Sequence, residues 1–489
     1  TGKQKNSHRL IFKVFCKSNQ PIPPTQTFQP MKKIKILLTF FVATLLILGI
    51  LSQLSVWYDN RTAEPAKRLL QSEVPRGDSE GADAMWLMTY DIPDAAERRQ
   101  IMAKLDNKVP EDDKLPESLR HRKLISDDAA EGQRLDCIAR NNDGAIIADC
   151  LQNVRAHADA YRAVVAQYAK LFDNADRLSQ YSNLDVRVLN ILDILPKYQY
   201  LVYQTTPAAV DWLDGKPEAA FARICRNIRT GKTLQQSRGG LIPAMIGVTI
   251  IQNNTRLAAA MLAEQPQWAG KLPENCAAAL EPTADNAENY CRIMQFEYHY
   301  MDALIANLPT QLNQEMPAWL VPVLFSPEHS RTLASKQFAF GCEPPAKQAF
   351  AQDLPVWAPQ DAQMPQTFWQ QYGSLACLRN ALGCRFINGD YGGDVDPYAR
   401  RLQDTQMQQR AFQAALALYR LPENQRTTEL PNVLARYGSP SRELHYDPEA
   451  KAIVFTPYQH HVRFILNVPL ALPQGQQNEM TNKLPKSHQ

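Results

Sequence analysis

Polar and apolar positions alternate with three different rhythms along this chain, and the first to appear is no alternation at all. From Ile36 to Trp57 twenty-two residues pass without a charge. Ile36, Leu37, Leu38, Phe40, Phe41, Leu45, Leu46, Ile47, Leu48, Ile50, Leu51 and Trp57 make up most of the run. Wound as a helix at about 1.5 Å per residue, the stretch is about 33 Å long, close to the thickness of a bilayer's hydrocarbon core. The pattern predicts a transmembrane helix that touches the lipid bilayer.

The second rhythm is helical. Leu151, Val154, Ala158, Tyr161, Val165, Tyr168, Phe172, Ala175 and Leu178 recur at spacings of three and four. Such a stripe predicts one long helix with a single buried face. A coiled-coil seam has similar spacing, but Ala and Tyr make poor knobs, so a bundle helix is expected. A helix over 208–213 stops at Asp214-Gly215, where glycine supplies the left-handed stop. Pro217-Glu218 opens the next, with proline in the first turn and a carboxylate at the positive helix end. It runs to about Gln236, and Arg238-Gly239-Gly240 separates it from a helix over 241–264. Helices over 284–308, 374–382 and 398–420 follow, so the pattern reads as antiparallel helical hairpins. Residues 309–366 carry Pro317, Pro322, Pro327, Pro344, Pro345, Pro355, Pro359 and Pro365 and are expected as loops and short helices.

The third rhythm has period two and comes late. Leu444-His445-Tyr446, a turn at Asp447-Pro448-Glu449-Ala450, and Ala452 to Phe455 predict a β-hairpin. Residues 462–468 could add a third strand. The fold class is therefore mainly α: an N-terminal transmembrane helix, a helical-hairpin bundle and a small C-terminal β-hairpin. The division expected is 1–30 as an upstream extension before Met31, 31–58 as basic start and anchor, and 59–130 as a polar stalk or docking arm. Then come 131–310 as the helical body, 311–372 as Pro-rich loops, 373–470 as C-terminal helices with the hairpin, and 471–489 as a disordered tail.

Charge sharpens the first feature. The chain of 489 residues has a formal net charge of +3. Residues 1–58 hold eight Lys and Arg and no carboxylate, which leaves 45 basic against 50 acidic residues beyond them, a net of −5. Basic flanks stay in the cytoplasm. The N-terminus is therefore expected inside and the body on the far side of the membrane, in a periplasm-like space. A mildly acidic body also argues against nucleic acid as partner. A cleavable signal has an apolar region of about 7–15 residues and small residues flanking its cut. This run is longer, and the candidate cuts at Ala63 and Ala66 have Arg61 and Glu64 at the −3 position. A retained signal anchor is expected.

Nine cysteines are present. Cys16 lies in the upstream extension, and the other eight (Cys137, Cys150, Cys225, Cys276, Cys291, Cys342, Cys377 and Cys384) all follow the apolar run. An even number beyond an export signal predicts disulfides, with buried thiols as the alternative. Cys137–Cys150 and Cys377–Cys384 are natural local pairs. For the other four, Cys276–Cys291 with Cys225–Cys342 is the expected arrangement. Without a C-x-x-C, neither a zinc ribbon nor a thioredoxin-type pair is supported.

Other chemistry is thin, and no cofactor or metal is expected. Gly231-Lys232-Thr233 has the end of a phosphate loop, but Arg226 stands where the first glycine belongs. Glu297, His299 and Asp302 share a helix; only His299 and Asp302 could share a face and hold a metal. His460-His461 would point to opposite sides of a strand. Asn388 to Pro397 is a Gly-rich loop with carboxylates that suit turns as well as calcium. No G-x-S-x-G nucleophile elbow occurs.

Several stretches resemble a group of uncharacterised single-pass, membrane-anchored, periplasm-facing proteins of Gram-negative bacteria. They are Asp83-Ala84-Met85-Trp86-Leu87-Met88, Cys137, Cys150-Leu151, Leu195-Pro196 with Tyr198, Asp214-Gly215 with Ala219-Ala220, Leu241 to Met245, and Tyr398 with Arg401. Where that group often has Asn-Pro-x-Gly, this chain has Asn380-Ala381-Leu382-Gly383. The resemblance covers about 80–265 and 375–420 and implies an inner-membrane protein with a helical body, with no activity attached. The function expected is that of a non-enzymatic interaction or structural envelope protein with an envelope protein partner. Alternatives are a periplasmic hydrolase with a site built from distant residues and a carrier of lipid or small ligands between helices.

Overall fold

The computed structural model describes residues 31–72, 79–105, 115–125, 135–140, 146–186, 195–357, 374–390, 395–459 and 465–467. Among the described residues, α1 (Met31–Thr62), α2 (Pro217–Gln236), α3 (Leu241–Glu264), α4 (Asn286–Glu315), α5 (Pro327–Ala339) and α6 (Asp396–Arg420) carry the architecture, with the Glu423–Tyr437 helix packed on α6. Shorter helices fill the spaces between them. Two small antiparallel sheets accompany them: β1 (Ala139–Arg140) with β2 (Ile146–Ala148), and β3 (His445–Asp447), β4 (Ala452–Val454) and β5 (Ile465–Asn467) in that order. In the second, His445 pairs with Val454 and Val454 with Ile465, so the expected hairpin gains a third strand.

Hydrophobic residues gather into three cores, and α3 is common to all of them. Its Ile251, Leu257 and Met261 join the first core, Ala244 and Val248 the second, and Ile250 the third. A helix apolar on all sides is a buried helix when other elements surround it. The α2–α3 hairpin closes unusually tightly because glycine faces glycine. A Cβ on Gly231 would lie 2.8 Å from Gly247 O, and one on Gly247 would lie 2.4 Å from Gly231 O.

The stripe from Leu151 to Leu178 forms three helices, not one. They are Cys150–Ala156, Ala158–Gln167 and Ala169–Arg177, with breaks at His157 (φ −133°) and Tyr168 (φ −106°). The breaks let one stripe serve two cores: Leu151, Val154 and Tyr161 pack in the first, and Tyr168, Leu171, Phe172 and Leu178 in the third. The stretch expected as a polar stalk or docking arm packs on the body. Met85, Trp86, Leu87, Met88, Tyr90 and Ile92 are all buried in the third core. In the Pro-rich region the described residues form the Val321–Leu324 helix, α5 and the Pro344–Gln352 helix. Each has a proline in its first turn, where the missing N–H costs nothing.

All eight distal cysteines are in disulfides: Cys137–Cys150, Cys225–Cys276, Cys291–Cys342 and Cys377–Cys384. The two local pairs form as expected. The expected pairs Cys276–Cys291 and Cys225–Cys342 do not. Cys225 and Cys276 lie in the first core and Cys291 and Cys342 in the second. The turn at Asp285 (φ 56°), which opens α4, sends the chain from one core to the other between Cys276 and Cys291. Closeness in sequence lowers the cost of closing a loop, but here partition between cores decides the partners.

α1 stands apart. Its residues 37–51 are all exposed. Among the described residues it is the one helix long and apolar enough to cross a membrane. The oxidised cysteines and this helix together describe a membrane-anchored protein of an oxidising compartment.

Candidate functional site at the junction of anchor and body

The helix that carries the apolar span does not end at its edge. It continues without a break to Thr62, and its last three turns enter the body. Ser52 and Val56 are buried there. Asp59 and Asn60 then meet one face of α5, which presents His329, Thr332 and Lys336 at spacings of three and four. Ser326 caps the start of α5 by accepting from the His329 amide at 3.3 Å.

His329 is fully buried and lies between two side chains. Its Nε2 is 3.4 Å from Asp59 Oδ2, and its Nδ1 is 3.1 Å from Asn380 Nδ2. The amide of Asn380 is oriented by its oxygen, which accepts from Ser326 N at 2.8 Å and sits 3.2 Å from Ser330 Oγ. Asn380 Nδ2 must then donate to Nδ1, so the neutral imidazole carries its proton on Nε2 and donates to Asp59. Lys336 Nζ donates to the other oxygen, Asp59 Oδ1, at 3.0 Å. Thr332 Oγ1 donates to Asn60 Oδ1 at 2.6 Å.

Asn380 can sit here because Gly383 has no side chain. A Cβ on Gly383 would lie 2.1 Å from Ser330 Oγ and 2.2 Å from Asn380 Oδ1. The Cys377–Cys384 bridge encloses Asn380 and holds its short segment in place. Together these contacts clamp the end of α1 to α5 and to the Leu375–Arg385 segment. The imidazole has no exposed surface and no room for a substrate, so its chemistry is that of a fastener.

Beside the clamp lies an open cleft of about 640 Å³. Gln53, Val56, Trp57 and Arg61 line it from α1, and Phe325 and Arg379 from the body. Arg61 stacks over the Trp57 ring at 5.4 Å. Arg379 bonds to Gln53 across the junction. The cleft mixes an apolar wall with two guanidinium groups, Glu64 and Glu328.

The residues singled out for chemistry are dispersed. Lys232 of the Gly231-Lys232-Thr233 stretch donates to Ala278 O and Glu281 O at 3.1 and 2.6 Å. It caps the Cys276–Leu280 helix, while Gly231 serves the α2–α3 crossing. Asp302 pairs with Arg331, and burial pushes the His299 imidazole down. Among the described residues no three His, Cys, Asp or Glu side chains gather as a metal site. His460-His461 and residues 391–394 of the Asp-bearing loop lie outside the described residues. The junction residues Asp59, His329 and Asn380 had no local sequence signal.

Glu297 caps α3 from α4. Leu241 N donates to its Oε1 at 2.6 Å, and Gly240, at φ 73°, leaves space for the carboxylate. Burial pushes the carboxyl up from an ordinary 4.5 to about 7, against the pull of the Leu241 amide. A raised folded pKa means that the folded protein holds a proton that the unfolded chain releases. The contribution is therefore full below about 4.5 and is lost as pH rises through about 7. Glu297→Gln removes this dependence. The variant gains on the order of 2–3 kcal/mol relative to the parent between pH 5 and pH 8, read by urea unfolding at both values. Equal pH dependence in the two proteins would rule this out.

No family model, curated protein or solved structure matches the chain.

Proposed function

We propose that this chain is a single-pass protein of a Gram-negative inner membrane, with its N-terminus in the cytoplasm and its disulfide-stapled body in the periplasm. There it serves as a non-enzymatic interaction or structural protein of the envelope. The observation that carries the reading is the continuity of α1. An exposed apolar span runs directly into a turn fastened by Asp59, Asn60, His329 and Lys336. Such a clamp gives the body a fixed attitude to the membrane, which an interaction surface needs and a freely tethered enzyme does not. The concentration of basic residues before the span supports the orientation. The resemblance to periplasm-facing anchored proteins supports the compartment.

Chemical cross-linking in intact cells, followed by purification in mild detergent, tests the reading. The expected result is one envelope protein recovered with the full chain at a constant ratio. A chain recovered without any cross-linked partner contradicts it.

A further inference from the structure

We infer that the body does not merely hang from the anchor: the face formed by residues 319–323 and 375–378 is seated in the outer interfacial layer of the bilayer. The inference rests on the reading of α1 as a membrane span, and the argument is one of depth. The uncovered apolar run, residues 37–51, is fifteen residues and rises about 22 Å, less than the roughly 30 Å of a hydrocarbon core. The missing distance falls on the turns from Ser52 to Tyr58. On one side these turns remain lipid-like: Leu54, Trp57 and Tyr58 are 55%, 54% and 63% exposed. On the other side they are covered by protein, with Ser52 1% and Val56 9% exposed.

Whatever covers that side stands at the same depth. It is the Leu375–Arg379 segment, a 3₁₀ turn that packs along α1 and bonds to Gln53 through Arg379. Residues three apart in a 3₁₀ turn point the same way. Leu375 and Leu378 are so spaced, and both are exposed. The Val321–Leu324 helix packs against this segment. The helix adds Val323 and the turn before it adds Trp319, 53% and 72% exposed. Four large apolar side chains therefore stand uncovered beside the emerging anchor. Tryptophan at such a level is the habit of membrane interfaces, and partial immersion of flanking protein is one answer to a short apolar span. The Cys377–Cys384 bridge stiffens the immersed segment.

The test is depth measurement on the full chain in vesicles of phosphatidylethanolamine and phosphatidylglycerol. Single nitroxide labels are placed, in a Cys16→Ser background, by Trp319→Cys and Val323→Cys, with Leu45→Cys as the deep control and Asp159→Cys, on the first-core side of the body, as the aqueous control. Folding of each variant is checked by far-UV circular dichroism. The expected result is that labels at 319 and 323 lose several-fold in collision with a water-soluble nickel complex relative to 159, and gain in collision with oxygen. A deep label at 45 with 319 and 323 as water-accessible as 159 overturns the inference and leaves the span intact. A label at 45 that is itself water-accessible removes the span, and the inference with it. Mutual broadening of the 319 or 323 labels reports a second copy on this face and also overturns it.

Discussion

Arg442→Met costs the body about 3–5 kcal/mol in urea unfolding, the range for breaking a buried ion pair from one side. The guanidinium is 6% exposed and lies between two carboxylates. It grips Asp353 with both arms, Nε to Oδ2 at 2.9 Å and Nη2 to Oδ1 at 2.8 Å, and gives Nη1 to Asp404 Oδ1 at 2.6 Å. Its face lies 3.9 Å from the centre of the Tyr458 ring. Three parts of the chain meet here. Asp353, at φ 50°, ends the Pro344–Gln352 helix; Asp404 belongs to α6; Tyr458 follows β4. Asp404 also accepts from the amides of Tyr458 and Gln459 at 2.9 and 3.1 Å. Burial pushes the Asp404 carboxyl up while Arg442 pulls it down. Methionine fills much of the space but leaves two buried carboxylates without a counter-charge. Adding Asp353→Asn and Asp404→Asn to the same chain restores most of the loss, because the cost lies in the stranded charges and not in lost packing. A loss below about 1 kcal/mol for Arg442→Met would show that the site is open to water.

Removing the Cys225–Cys276 bridge by Cys225→Ser with Cys276→Ser costs about 4 kcal/mol, as expected for a bridge whose cysteines are 51 residues apart. The bridge joins the middle of α2 to the Cys276–Leu280 helix. Lys232 and the bridge hold that helix, so its loss frees both ends of the connection to α4. Non-reducing peptide maps of the parent give linked peptides for 225–276 and 291–342. Linked peptides for 276–291 would restore the pairing expected from sequence and contradict the partition between cores.

Much of this architecture was legible in residue patterns, and the exceptions share a cause. The span was visible because a bilayer demands an unbroken apolar run, a constraint that acts on neighbours in sequence. The α2–α3 hairpin was visible for a similar reason: Asp214-Gly215, Pro217 and Gly239-Gly240 mark its ends locally. The Leu151–Leu178 stripe misled because its period holds while its neighbours change at His157 and Tyr168. The Glu423–Tyr437 helix gave little sign, with Pro431 inside it and only Leu430, Val433 and Leu434 buried. Disulfide partners depended on which core each cysteine enters, and that is set by the turn at Asp285. The junction was hidden most thoroughly. Asp59, His329 and Asn380 are brought together over separations of 270 and 51 residues, and each alone is an ordinary polar residue on a helix or turn.

The proposed topology has α1 across a membrane and the body on the far side from its basic N-terminus. Fusion of an alkaline phosphatase that folds only in an oxidising compartment, placed after residue 130, tests it most directly. The account predicts an active, membrane-bound fusion, with activity abolished when a charged residue replaces Leu45 and Leu46 in the span. A fusion that is inactive in the parent, while a cytoplasmic reporter at the same position is active, would contradict it.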